Sequence, residues 1–137
     1  MLLTRRYRFS ASHRLHSKAL SEEANQELYG KCNNPYGHGH DYEVEVTVRG
    51  LVDGRTGRVV DLQQLDDLVQ RLVTGPLGHR NLNEEVAEFQ QLVPTTENLN
   101  VILDERLRAA WASAFPSPSP ALERIRIYET PRNIFQI

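Results

Sequence analysis

The sequence predicts an α+β fold: an antiparallel four-stranded sheet with two helices packed on one face. Three observations carry that expectation. Period-two alternation marks extended segments near both ends of the chain, and two helical segments with apolar stripes lie between them. The resulting order, strand, strand, helix, helix, strand, strand, suits a sheet whose helices are segregated to one side. The 137 residues, 39% hydrophobic and 25% charged with a net charge of −2, fit one globular domain over 1–137. Neither a basic nucleic-acid patch nor an apolar run approaching the ~20 residues of a membrane span is present. The opening MLLTRRYRFS lacks the apolar core of a signal peptide. The single cysteine, Cys32, cannot form an internal disulfide, so a cytoplasmic setting is expected.

Leu2 to His13 alternates, with Tyr7, Phe9, Ala11 and His13 on one face and Arg6, Arg8, Ser10 and Ser12 on the other. Arg14 to Lys31 has no clean period and reads as a long loop with some helix, followed by turns forced by Asn33, Asn34, Pro35 and Gly37. A second strand runs from His38 to about Arg49, with His38, His40, Tyr42, Val44, Val46 and Val48 on one face. GLVDGRTG, Gly50 to Gly57, reads as a turn, and Arg58 to Val60 as a return to extended chain. Asp61 is a helix N-cap ahead of Leu62, Leu65, Leu68, Val69 and Leu72, and Gly75-Pro76 ends that helix. Leu77 to Val93 is irregular. Thr95 or Thr96 caps the second helix, whose apolar face is Leu99, Ile102, Leu103, Leu107, Ala110 and Trp111. FPSPSPA, Phe115 to Ala121, links it to a strand over Leu122 to Glu129, and Asn133 to Ile137 forms the fourth strand. The other sheet face shows Arg6, Arg8, Glu43, Glu45, Arg124 and Arg126; it meets bulk water or a wet surface inside an oligomer, and with the sheet edges in need of cover it is compatible with a ring-shaped homo-oligomer.

His13 ends the apolar side of the first strand as His38 begins that of the second, so antiparallel pairing would gather His13, His38 and His40. Three imidazoles fill three of zinc's four tetrahedral positions and leave one for water or substrate, the pattern of a catalytic site. The competing reading makes each of them an ordinary satisfied or exposed histidine. Cys32 is a fourth ligand, a catalytic thiol or a small buried residue. Glu129 falls on the Ile125/Ile127 face and, being directed inward, needs a partner: an internal arginine, or a ligand with a planar pair of N–H groups. Glu97 carries the same ambiguity more weakly. His79 is an exposed loop histidine or a proton carrier for Cys32, and His16 is read as a surface residue.

The segments FSASHRL, LYGKCNNPYGHGHDY, PLGHRNLN, PTTEN and YET, with the order of elements, resemble the 6-pyruvoyltetrahydropterin synthase / 6-carboxytetrahydropterin synthase family. The resemblance implies a tunnelling fold, in which sheets join into a β-barrel with helices outside, and a homohexamer built as a dimer of trimers with active sites between subunits. It implies a lyase of tetrahydrobiopterin biosynthesis that takes 7,8-dihydroneopterin triphosphate, eliminates triphosphate and gives 6-pyruvoyltetrahydropterin. By motif, His13, His38 and His40 hold Zn²⁺, Cys32 is the general base, and His79 is its relay partner. Glu129 anchors the pterin, with Thr95, Thr96 and Glu97 lining the same pocket. Relatives in queuosine biosynthesis form 6-carboxytetrahydropterin from the same substrate and usually have three residues between the cysteine and H-G-H. Here there are five, Asn33 to Gly37, as in the pyruvoyl-forming branch.

The chain departs from the family motif at one position: Leu-Asp-His reads Leu77-Gly78-His79. An aspartate there would orient the imidazole. A backbone carbonyl, a water or another carboxylate such as Glu84 is a substitute; without one, the chemical step slows while zinc and pterin binding survive. Three readings follow: a zinc-dependent pterin lyase, a pterin- and zinc-binding homologue with weakened catalysis, and a structural Cys-His₃ zinc site. Arg14, Lys18, Lys31 and Arg80 are candidates for the triphosphate by charge.

Overall fold

A computed structural model describes residues 1–137. The alternation at the N-terminus becomes β1 (Leu2–His13), which buries Phe9, Ala11 and His13 in turn. The segment after it contains α1 (Glu22–Tyr29), whose N-cap Ser21 accepts from the Ala24 backbone N–H, and a 3₁₀ turn over Gly30–Asn33 that carries Cys32. β2 (His38–Arg49) pairs antiparallel with β1 along its whole length, with His13 opposite His38, Ala11 opposite His40 and Phe9 opposite Tyr42. Arg58 to Val60 does not resume a strand: the backbone N–H of Asp53 donates to the Arg58 carbonyl, and that bond closes the loop instead of a ladder.

α2 (Leu62–Val69) starts where Asp61 accepts from the Gln64 backbone N–H, and it buries Leu65, Leu68 and Val69. Gly75-Pro76 does not end the helical run. A wide π turn over Gln70–Thr74 precedes α3 (Gly75–Leu77), where the Gly75 N–H donates to Gln70 and Pro76 stands in the first turn, where its missing N–H costs least. The next residues add an element absent from the four-stranded expectation, the two-residue β3 (Arg80–Asn81), parallel to β1 at Ala11 and Ser12. α4 (Leu82–Glu85) and a 3₁₀ turn follow, then α5 (Thr96–Ala114) behind its N-cap Thr95. β4 (Ala121–Tyr128) and β5 (Ile134–Gln136) complete a sheet of order β3-β1-β2-β4-β5, antiparallel except for the β3 pairing.

The core lies between one sheet face and the helices. Val44, Val46, Ile125 and Ile127 pack there with Leu65, Val69, Leu99, Leu103 and Leu107, all fully buried. Each such side chain contributes about 1.5–3 kcal/mol relative to exposure. The opposite face is the charged one. Arg6 bridges Glu45 at 3.0 Å and Glu43 at 3.4 Å, Arg8 reaches Glu43 at 3.2 Å, and Arg126 lies 3.7 Å from Glu45. Glu45 is only 5% exposed in this single chain, so its carboxylate depends on those cations.

Candidate metal centre and active site

Where β1 ends, three imidazoles meet. Because β1 and β2 pair in register, His13 and His38 stand opposite each other and His40 points the same way two residues on. The ring nitrogens able to bind a metal all lie within 4.8 Å of one another, and His13 Nε2 to His38 Nε2 is 3.1 Å. Tetrahedral coordination with Zn–N bonds of ~2.0–2.1 Å puts ligand nitrogens ~3.4 Å apart, so the cluster is already near that size. Its donor set is imidazole, with His13 and His38 both held toward the neutral form by burial. His13 is 1% exposed and its Nδ1 lies 2.8 Å from the Pro94 carbonyl. That contact requires Nδ1–H as donor, which leaves the Nε2 lone pair facing the other two rings. His38 has its Nδ1 buried without a partner. Cys32 is not in the cluster, so the Cys-His₃ arrangement has no support in the geometry.

Burial dominates the electrostatics here. It pushes the His13 pKa down to about 4 despite the upward pull of the Pro94 carbonyl, and His38 and His40 add to the lowering. His38 is lowered for the same first reason, burial, followed by His40. A stability effect follows for the metal-free protein. Above the unfolded value of ~6.5, His13 is neutral in both states and adds no pH dependence. Below it the unfolded chain binds a proton that the folded chain refuses until about 4, so stability falls as pH falls through that window, by on the order of 3 kcal/mol in all. Urea midpoints of chelator-treated protein across this range should drop with acid, and less so in His13→Gln; equal slopes for the two proteins would refute it.

The backbone around the triad is tightly set. Gly37 has φ +71°, and a Cβ there would stand 2.9 Å from the His13 carbonyl oxygen, so the loop into His38 needs glycine for both conformation and space. Asn83 clamps the residue after His13, accepting from the Arg14 N–H at 2.7 Å and donating to the Arg14 carbonyl at 2.9 Å. Buried Asn33 donates to the Leu15 carbonyl at 2.8 Å and bonds His16 Nδ1 at 3.0 Å, so His16 is half-buried and held rather than a plain surface residue.

Glu129 follows directly after β4, its carboxylate turned toward the triad. Oε1 accepts from Thr96 Oγ1 at 2.7 Å and lies 3.7 Å from His40 Nε2. The side chain is 16% exposed, and no arginine pairs with it; Oε2 remains available to a ligand. Thr95 spends its hydroxyl on the Asn98 N–H as a helix cap, and Glu97 is exposed in the first turn of α5. Cys32 is half-buried in its 3₁₀ turn, where its carbonyl accepts from the Leu15 N–H at 2.8 Å.

His79 lies elsewhere. It is exposed and left-handed, with φ 60°, directly after α3, and its backbone N–H donates to the Ser10 carbonyl at 2.6 Å. A non-glycine residue there costs roughly 1–2 kcal/mol, a cost that Gly78, one position earlier, does not relieve. His79 lines a groove with Ser10, Ser12, His40, Asp41, Arg80 and Glu85, at the end of β1 and the start of β2. A second groove is lined by Arg14, His16, Lys18 and Tyr36, and includes Gly37, the residue before His38.

Sequence reasoning missed four contributors. Tyr42 is 1% exposed, with its hydroxyl 3.4 Å from His13 Nδ1; its place two residues after His40 on the same face was the available signal. Asn33 sat in a run that read as turns, and Asn83 in a segment that read as irregular. The Pro94 carbonyl had no signal, since every residue carries one.

The sequence model of the 6-pyruvoyl tetrahydropterin synthase family matches residues 2–137. The chain is 50% identical over 132 residues to the 6-pyruvoyl tetrahydrobiopterin synthase of Poecilia reticulata, covering 96% of this chain and 86% of that one. It is 45% identical to the corresponding protein of Homo sapiens, covering 96% and 87%. The solved structure of Caenorhabditis elegans 6-pyruvoyl tetrahydropterin synthase superposes with a TM-score of 0.88 at 42% identity, over 100% of this chain and 94% of that one.

Proposed function

The chain belongs to the 6-pyruvoyl tetrahydropterin synthase family, and from that premise we propose that it converts 7,8-dihydroneopterin triphosphate to 6-pyruvoyltetrahydropterin with loss of triphosphate. The observation that carries the reading is the histidine triad with a ligand-accessible carboxylate beside it. His13, His38 and His40 are the zinc ligands. When bound, Zn²⁺ supplies Lewis acidity that makes C–H and O–H protons of the substrate side chain easier to remove. Glu129, steadied by Thr96, grips the guanidine-like edge of the pterin with two parallel hydrogen bonds. Thr95 and Glu97 belong to the wall of the same pocket.

The order of strands supports a direction for the substrate. Glu129 follows β4, His38 and His40 are on β2, His13 is on β1, and the groove holding Arg14 and Lys18 reaches Asn81 of β3. Neighbouring strands are ~4.8 Å apart, so these stations span ~14 Å, the scale of an extended pterin triphosphate. In this reading the ring lies at Glu129 and the phosphates at Arg14 and Lys18. Lys31 is exposed outside that groove, and Arg80 is paired with Glu85 at 3.4 Å.

Cys32 is the base that takes and returns side-chain protons. His79 is its relay partner, and its exposure at the end of β1 and the start of β2 fits a site completed between subunits: Cys32 of one chain works with His79 of the next. That reading requires a homo-oligomer, a hexamer of two trimers, and gives the charged sheet face a wet barrel interior to line. No helix is long and apolar enough to cross a membrane, and the reading is of a cytoplasmic enzyme.

The testing experiment is turnover of zinc-loaded protein on 7,8-dihydroneopterin triphosphate, with the 6-pyruvoyl and 6-carboxy products resolved. The five residues between Cys32 and His38 favour the 6-pyruvoyl product. A 6-carboxy product would move the chain to the queuosine branch. Binding of the pterin without turnover would make it a homologue with weakened catalysis.

A further inference from the structure

A histidine that carries protons with one ring nitrogen needs the other held, so that tautomer and orientation are set before the reaction. The chain holds His79 by its backbone, through the bond to the Ser10 carbonyl, and Gly78 before it offers no side chain. A side chain at 78 has no room either: a Cβ there would stand 2.5 Å from the Thr74 carbonyl oxygen, which accepts the Gly78 N–H. The partner for the ring must therefore come from elsewhere.

Three carboxylates are near in sequence or space. Glu84 lines the other groove, beside Arg14 and Lys18. Glu85 shares the His79 groove, but both of its oxygens are engaged, Oε1 with Arg80 at 3.4 Å and Oε2 with the Asn81 N–H at 2.7 Å. Asp41 also lines that groove, and one of its oxygens, Oδ1, accepts from Ser10 Oγ at 2.5 Å. Ser10 and Asp41 are register partners across β1 and β2. The same serine thus holds His79 through its carbonyl and Asp41 through its hydroxyl, which leaves Asp41 Oδ2 in the groove with no cation paired to it.

We infer that Asp41 is the positioning carboxylate of His79, reaching the ring from the neighbouring strand where the residue before the histidine has none. This rests on the reading of His79 as proton relay. Oδ2 accepts from one ring N–H, fixes the tautomer, and stabilises the imidazolium formed when the other nitrogen takes a proton. Ser10 in turn orients the carboxylate.

The test is Asp41→Asn in the zinc-loaded protein. The amide oxygen still accepts from Ser10, so a purely structural role survives the change, while the charge and its orientation toward the ring are lost. The expected result is a kcat lower by at least about tenfold, with KM and zinc content unchanged, and recovery of a large part of kcat in Asp41→Glu. Glu85→Gln should leave kcat at the parent value. The ¹⁵N signals of the His79 ring should report one fixed tautomer in the parent and a mixture in Asp41→Asn, a readout that holds whether or not the protein turns over. His79→Gln separates the two layers. If it matches the parent, the relay reading fails; if it is impaired while Asp41→Asn matches the parent in kcat and ring signals, the Asp41 inference alone is overturned. Loss of kcat in Glu85→Gln instead of Asp41→Asn would overturn it in favour of Glu85.

Discussion

Replacing His13 with alanine is expected to abolish tight metal binding and lower turnover by about three orders of magnitude. His13 does two things at once. Its Nε2 faces His38 Nε2 at 3.1 Å, and its Nδ1–H is tied to the Pro94 carbonyl at 2.8 Å. The second bond makes it the most rigidly oriented of the three histidines, because Pro94 immediately precedes the N-cap of α5 and is itself buried. Two histidines and water remain after the substitution, one protein ligand short of a catalytic zinc site. A bound metal contributes several kcal/mol of charge stabilisation, and about 4 kcal/mol corresponds to roughly 10³ in rate. Zinc content after dialysis, measured beside turnover and the far-ultraviolet spectrum, checks this. A folded variant that retains stoichiometric zinc and parental turnover would remove His13 from the ligand set and with it the metal-centre reading.

Much of this site was legible because it is built on regular strands. Period two puts His13 on the Phe9/Ala11 face and His38 and His40 on the valine face, and two strands that each bury one face leave little choice of register. Asp61 and the Thr95-Thr96 pair, of which the structure selects Thr95, were legible as caps because an N-cap is a local device, a side-chain oxygen three residues from the amide it accepts from. What the sequence hid depends on distant or nameless partners. β3 is two residues paired with β1 from some seventy positions away, with no alternation of its own to announce it. The helical run through Gly75-Pro76 reads as a stop because both residues break ordinary helices, and only a π turn shifts the bonding so that Pro76 falls where no donor is needed. Glu84 was the natural carboxylate to nominate for His79 by nearness in sequence; register brings Asp41 to that groove instead.

The Cys32→Ala variant is the sharpest division between chemistry and architecture. Cys32 is half-buried in a 3₁₀ turn, and its fold-holding contact is a backbone one, the carbonyl accepting from Leu15. Alanine keeps that bond, fits the space of the thiol and leaves Asn33 to anchor the turn to Leu15 and His16. Fold, zinc content and pterin affinity should therefore match the parent. Turnover should fall by about 10²–10⁴, the range a positioned general base contributes. Single-turnover kinetics with equilibrium binding of the pterin check both halves. Loss of zinc or of the fold would mean that the thiol is a ligand or a packing element. Unchanged turnover would mean that another group takes the proton. His79 would be the first residue to test in that role, because it is the exposed imidazole outside the triad that is held in a costly backbone conformation.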